Sequence, residues 1–131
     1  MRAVLAIDPG REKCGLAVVS GNGALYKAVV PRREIAPAVE ALLAEHQVDN
    51  IIIGNGTGAD KLFKELECAG LAIPIELVDE KYSSQRARER FLQDNPPRGL
   101  RRLIPRGLLT PDRPYDDYVA LILAEDYLNK R

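Results

Sequence analysis

Five carboxylates in this sequence stand where predicted secondary-structure elements end or begin. Asp8 follows the first apolar run, Asp79 and Glu80 follow the last one, and Asp116 and Asp117 open the final amphipathic segment. In open sheets with parallel strands, ligands collect outside the carboxyl ends of the strands. If the first and last strands end at one edge, and the final helix begins there, these acids converge.

Converging carboxylates repel one another, and a divalent cation is the usual remedy. Two Mg²⁺ or Mn²⁺ ions about 4 Å apart activate water and stabilise the leaving oxygen in phosphodiester hydrolysis. The alternative is structural for each acid alone. Asp8 caps the Asp-Pro-Gly turn, Asp79 belongs to a helix cap, and Asp116 and Asp117 favour the start of a helix. The three positions together favour the metal site over three separate structural roles.

Positive charge is concentrated in one stretch, although the formal net charge of the chain is zero. Residues 86–113 carry an excess of five positive charges, because eight arginines stand there against three acids. Such a stretch suits phosphate contacts beside an acidic site. The alternative interpretation is that these arginines belong to a solvent-exposed helix face and the loop that follows it. The predicted nucleic-acid contacts in and before this stretch, including the turn after Asp8, are Arg11, Lys13, Lys81, Arg86, Arg98, Arg101, Arg102 and Arg106.

The elements that must position these residues follow in the order β-β-β-α-β-α-β-α-α. Apolar runs predict strands at residues 4–7, 16–19, 24–31, 51–53 and 73–78, and helical spacing predicts helices over residues 32–46, 59–69, 83–93 and 115–129. Residues 98–113, rich in arginine, proline and glycine, predict a loop or lid. Gly15 predicts a position where the returning backbone passes close to whatever Asp8 holds.

Length and composition narrow the class of protein. The 131 residues fit one domain, 1–131, with a proper core. No apolar stretch approaches the roughly 18 residues of a membrane span, and the N-terminus enters a strand directly, which predicts a cytoplasmic protein without a membrane partner. Cys14 and Cys68 match no metal-ligand spacing and are expected as reduced thiols.

Four blocks of this sequence resemble the YqgF family of RuvC-like nucleases in the ribonuclease H-like superfamily. They are AIDPGREKCGLAVV, NIIIGNGTG, VDEKYSS and DDYVALILAEDYL, and they span residues 3–128. The resemblance implies an α/β, ribonuclease H-like fold, with a five-stranded mixed sheet whose first three strands are antiparallel and with helices on both faces.

The resemblance also implies which residues act. Asp8 matches the family's first-strand aspartate, Glu80 the glutamate of its Asp-Glu-Arg block, and Asp116 the aspartate that opens its last helix. These three are the expected catalytic residues and ligands of two Mg²⁺ or Mn²⁺ ions, with Asp79 and Asp117 as further candidate ligands. Lys81 stands where the family block has arginine.

Three functions stay open on these grounds. The first is a metal-dependent endonuclease that acts on Holliday junctions or precursor ribosomal RNA, and a homodimer is expected if the substrate is a junction. The second is a non-catalytic nucleic-acid-binding module on the same fold. The third is a phosphotransferase related to the actin and sugar-kinase group, with residues 54–58 as a phosphate loop; those enzymes clamp nucleotide between two domains, whereas this chain predicts one.

Overall fold

The computed structural model describes residues 3–56, 58–79, 83–96, 103 and 115–129. Within these ranges, five strands form one mixed sheet, and α-helices cover both of its faces, as the sequence predicts. The strands are β1 Ala3–Asp8, β2 Lys13–Ser20, β3 Gly23–Pro31, β4 Asn50–Gly54 and β5 Ile75–Val78. The helices are α1 Ile35–Glu45, which follows a 3₁₀ turn at Arg32–Glu34, α2 Ala59–Cys68, α3 Ser83–Asp94 and α4 Asp116–Asn129.

The strand order β3-β2-β1-β4-β5 places β1 at the centre of the sheet. β1 pairs antiparallel with β2 and parallel with β4, and β4 pairs parallel with β5. β1 and β4 are buried on both faces, and for this reason their sequences are apolar at successive positions instead of alternating between apolar and polar residues. β1, β4 and β5 therefore end at the same edge, here called the C-terminal edge, which is the condition for the predicted convergence of acids.

One hydrophobic cluster lies on each face of the sheet, and successive side chains of β1 point alternately into one cluster and the other. Val4 and Ala6 pack with α3 and α4 on one face, whereas Leu5 and Ile7 pack with α1 and α2 on the other. Asp8 continues the even-numbered series. Its side chain is therefore directed to the face that α3 and α4 cover.

The last helix is the most deeply buried one among the described residues. Seven consecutive residues of α4, Tyr118 to Ala124, are buried, because the helix lies between the sheet and α3. Among the described helices, none combines the length and the apolar character that a membrane crossing requires.

Element boundaries differ from the predicted ones in small ways. β5 begins at Ile75 rather than at residue 73, because Pro74 has no N–H to donate to the ladder. The turn at residues 32–34 is 3₁₀, and the α-helix begins only at Ile35. Gly70 follows α2 with a φ of 71°, the left-handed conformation that glycine commonly adopts after the end of a helix. The predicted loop at residues 98–113 lies outside the described residues except for Leu103.

Candidate active site

Asp8 lies at the C-terminal edge beside the first turn of α4. In the β1–β2 ladder Asp8 is paired with Gly15, so the Asp8 side chain and the missing side chain of Gly15 are directed to the same face. A Cβ atom on Gly15 would lie 2.7 Å from the backbone nitrogen of Asp117, and closer still to the carbonyl group of Asp116. The backbone at the start of α4 is therefore in direct contact with Gly15, which sets Asp116 next to Asp8.

This contact changes the role expected for Gly15. The sequence predicts a close approach between the backbone of β2 and a ligand of Asp8, whereas the closest neighbour in the structure is the α4 backbone. The absence of a side chain at Gly15 thus lets a helix dock on the sheet at the site of the acids.

Asp116 is a half-buried carboxylate in an unfavourable environment for negative charge. Burial raises the pKa of the Asp116 carboxyl, the adjacent Asp117 carboxylate raises it further, and the positive charge of Lys13 opposes both. A carboxylate that is buried beside other acids gains most from a cation. This makes Asp116 the acid of α4 best suited to hold a metal ion.

Asp117, the second acid of α4, is engaged elsewhere. Its Oδ2 lies 3.5 Å from the Lys27 ammonium on β3, and its Oδ1 accepts a hydrogen bond of 3.0 Å from the backbone N–H of Tyr118. Both oxygens therefore already hold partners within the protein. Of the two predicted ligands at this helix start, Asp117 therefore anchors the helix to β3, and Asp116 is the acid whose backbone contacts Gly15.

Tyr118 locks the first turn of α4 to two other elements. Its hydroxyl donates a 3.0 Å hydrogen bond to the Asp94 carboxylate at the end of α3, and its ring meets Phe91 edge-on with the centroids 5.4 Å apart. The Lys27 ammonium lies 4.3 Å from the centroid of the Tyr118 ring, within cation–π range. The position of Asp116 relative to Asp8 is thus set by β2, β3 and α3 together.

Cys14 is a free thiol buried in the hydrophobic cluster on the opposite face of the sheet. Burial raises the pKa of the Cys14 thiol, and the negative charges of Asp8 and Asp116 raise it as well, although a backbone hydrogen bond and Arg32 oppose them. A neutral thiol is a poor nucleophile. Cys14 is therefore a packing residue, and its free thiol agrees with the reduced state that the sequence predicts.

Two predicted site residues, Asp79 and Arg86, are associated with the second half of α4. Asp79 lines a cavity of about 350 Å³ together with Leu123 and Asp126. Arg86 donates hydrogen bonds of 2.7 Å and 2.9 Å to the two carboxylate oxygens of Asp126. Asp126 lies ten residues after Asp116, which is about 15 Å along a helix. Arg86 is therefore held away from the first turn of α4, whereas Asp79 follows β5 at the C-terminal edge and borders a cavity beside the second half of α4.

The remaining predicted contacts divide into described and undescribed residues. Lys13 begins β2 and is close enough to Asp116 to lower its pKa, whereas Arg11 lines a separate cavity that includes residues of the 3₁₀ turn and α2. The predicted acid and the cations that lie outside the described residues are Glu80, Lys81, Arg98, Arg101, Arg102 and Arg106.

The acids that are brought together fit a hard divalent cation. Asp8 and Asp116 supply oxygen donors, the kind that Mg²⁺ and Mn²⁺ prefer, and the raised pKa of Asp116 records the cost of charge there without a cation. In the parts of the chain that the structure describes, no group of three or more His, Cys, Asp or Glu is arranged to hold a metal ion. The third acid of the predicted trio, Glu80, is outside those parts.

Sequence reasoning missed Lys27. Lys27 lies in the third strand, in the segment ALYKAVVP, and the pattern of this segment indicates a strand but no functional residue. Its ion pair with Asp117 spans 90 positions of sequence, so no local spacing could reveal it.

Comparisons with known proteins identify a relative by sequence and neighbours by fold. No protein-family model matches the chain. A protein of Chlorobium phaeobacteroides (strain BS1) named "Putative pre-16S rRNA nuclease" is 31% identical over 100 residues, which cover 66% of this chain and 69% of the relative.

Two solved structures of RuvC from Thermus thermophilus share the fold, which is ribonuclease H-like. One is 17% identical with a TM-score of 0.58, covering 98% of this chain and 96% of RuvC. The other, RuvC in complex with a Holliday junction substrate, is 20% identical with a TM-score of 0.62, covering 99% and 96%.

Proposed function

Because this chain belongs to the YqgF family of RuvC-like nucleases, we propose that it is a metal-dependent endonuclease. The proposed reaction is hydrolysis of phosphodiester bonds in structured nucleic acid. The observation that carries the proposal is the contact between Gly15 and the start of α4, because it sets Asp116 beside Asp8 at the C-terminal edge of the sheet.

Each acid of the site has a proposed role. Asp8, on the rigid central strand, and Asp116 would hold Mg²⁺ or Mn²⁺, with Glu80 as the third ligand. The bound ions supply an activated water and a Lewis acid for the leaving oxygen. Lys13, whose positive charge lowers the pKa of Asp116, would contact a phosphate at the same site. Lys27 forms an ion pair with Asp117, so Asp117 would not serve as a metal ligand.

Precursor 16S rRNA is the first substrate to test, because the curated relative is named for it. A Holliday junction is the second, because the fold neighbour was solved in complex with one. Junction cleavage would require two symmetric active sites and hence a homodimer, whereas a single protomer would be sufficient for RNA cleavage.

The substitution Asp8→Asn tests the metal-site assignment. It removes one ligand charge without changing shape, so we expect Mn²⁺-dependent cleavage to fall by roughly two orders of magnitude or more, while binding of the same nucleic acid is retained. The panel comprises a precursor 16S rRNA fragment, a four-way DNA junction and single-stranded DNA.

The matched control is Asp49→Asn, which changes an exposed aspartate at the opposite edge of the sheet, where Asp49 N–H donates to Ala3. This variant should cleave like the wild type. Wild-type rates from the Asp8 variant would refute the assignment, and binding without cleavage by the wild-type protein on all three substrates would favour the non-catalytic binding module.

A further inference from the structure

A second cavity opens at the C-terminal edge, on the face of the sheet opposite to Asp116. Its volume is about 710 Å³, and it lies between the turn after Asp8, the 3₁₀ turn that precedes α1, and helix α2. Its charged lining residues are Arg11, Glu12, Arg32, Arg33, Lys61 and Glu65. Four cations against two carboxylates make this cavity basic.

The cations of this cavity fall into two groups. Arg32 is half-buried and structural, because its guanidinium donates a 3.0 Å hydrogen bond to Glu65 and its backbone N–H donates to the carbonyl of Glu12. Arg11, Arg33 and Lys61 are exposed, and none of them forms an ion pair with another residue that the structure describes. The Arg32–Glu65 ion pair thus joins two elements of the cavity lining, and the other three cations are exposed to solvent around it.

The cavity begins close to the acid site. Gly10, which lines it, is two residues after Asp8, a separation of at most about 7 Å along an extended chain. One strand of B-form nucleic acid carries a phosphate every 3.4 Å of helix axis. A strand whose phosphate lies at Asp8 would therefore reach the cavity within about two nucleotides.

We propose that this cavity is a second phosphate subsite, in which Arg11, Arg33 and Lys61 bind the backbone of the substrate strand near the cleaved bond. The subsite rests on the proposed nuclease function. Exposed cations on three separate elements suit a polyanion, which gains from many weak contacts and counterion release, better than a small anion, which requires converging and buried donors. The contacts are to phosphate, so they position the strand without reading its sequence.

The test is the salt dependence of binding by the double variant R33Q/K61Q. Binding of a fluorescent RNA hairpin with a single-stranded extension is measured in EDTA, where metal-dependent cleavage is blocked, over a range of salt concentrations. Removing two phosphate contacts should lower the slope of log K against log salt by about 1.4 to 1.8. A slope of 0.9 per contact corresponds to about eightfold in affinity between 1 M and 0.1 M salt.

The matched control is K64Q, which removes an exposed cation from the same helix, one turn after Lys61 and outside the cavity lining. Its slope should equal that of the wild type. The single variants R33Q and K61Q should each lower the slope by about 0.7 to 0.9, which keeps the test valid if the double variant is unstable.

The outcomes separate the subsite from the nuclease proposal. A wild-type slope from R33Q/K61Q, or an equal loss from K64Q, overturns the subsite while metal-dependent cleavage and its loss in the Asp8 variant still stand. If the wild-type protein cleaves nothing but binds the hairpin, the nuclease proposal fails, and the reduced slope of R33Q/K61Q still supports the cavity as a phosphate subsite.

Discussion

Replacement of Gly15 by alanine would test how the active site is assembled. The added methyl group would lie 2.7 Å from the backbone nitrogen of Asp117 and closer still to the Asp116 carbonyl group, whereas real Cβ atoms essentially never lie under 3.0 Å from another heavy atom. The obstacle is backbone on both sides, because Gly15 belongs to a central ladder and Asp116 begins a buried helix. One of these two elements must therefore move.

The size of the effect follows from that displacement. Moving the start of α4 outward by about 1 Å relieves the contact, and a misplacement of about 1 Å costs roughly 100-fold in rate when it affects a catalytic group. Overpacking of this kind costs about 1–3 kcal/mol, and the entropy gained by replacing glycine returns only about 0.4–1 kcal/mol. We expect a net loss of about 1–2 kcal/mol, which lowers Tm by roughly 4–8 °C.

The assays are thermal unfolding and Mn²⁺-dependent cleavage, both with the Gly21→Ala variant as control. Gly21 lies in the β2–β3 turn, and a Cβ atom there would have no heavy atom within 4 Å, so this variant should match the wild type in both assays. The reasoning is refuted if the Gly15 variant keeps the wild-type Tm and cleaves within threefold of the wild-type rate. It is also refuted if both alanine variants lose equal activity.

Two further substitutions probe the charges at the start of α4. The raised pKa of Asp116 means that its charged form is penalised in the folded state, so Asp116→Asn should raise Tm at pH 7 in EDTA. The gain should shrink as the pH falls below the raised pKa of the folded state and vanish below the ordinary value of 3.8, where the carboxyl becomes neutral in both states; a destabilised variant at pH 7 would contradict this. Lys27→Met should lower the free energy of unfolding in urea by about 1 kcal/mol, because it removes a partly exposed ion pair with Asp117 and a cation–π contact with Tyr118, and unchanged stability together with unchanged cleavage would contradict the anchoring role.

The sheet is predictable from sequence because its central strands carry their own signal. The runs of β1 and β4 are apolar at every position, which is typical of strands buried on both faces, and the turn signals at Pro9-Gly10 and Asn22-Gly23 separate the three antiparallel strands. Parallel pairing of β1, β4 and β5 then follows from the intervening helices. The common edge at Asp8 is thus a consequence of local patterns.

The docking of α4 could not be predicted in the same way. Helical spacing predicts Val119, Ile122, Leu123 and Tyr127 as core residues, and of these Tyr127 is only half-buried. Four further residues of the helix are buried because α3 covers the side that the pattern leaves open: Tyr118, Ala120, Leu121 and Ala124. The contact between α3 and α4 also determines which charged side chains are paired with each other. Arg86 belongs to a basic run that suggests phosphate binding, but its guanidinium holds Asp126 across the α3–α4 interface. Charge counts along a sequence do not show which cations are already paired.

The turn after Asp8 keeps opposite charges apart at one edge of the sheet. Asp8 and Asp116 lie towards α4, where Lys13 is the one described exposed cation whose charge lowers the pKa of Asp116. Arg11, Arg33 and Lys61 lie towards α1 and α2, and the Lys27–Asp117 and Arg32–Glu65 pairs join neighbouring elements. If Arg11, Arg33 and Lys61 also stood beside the two aspartates, they would neutralise the carboxylates and compete with a metal ion for them. If they lay far away, the phosphates near the cleaved bond would face the acids without compensation. Separation by the thickness of one sheet satisfies both requirements, because a flexible strand can bend over the edge and contact both faces at once.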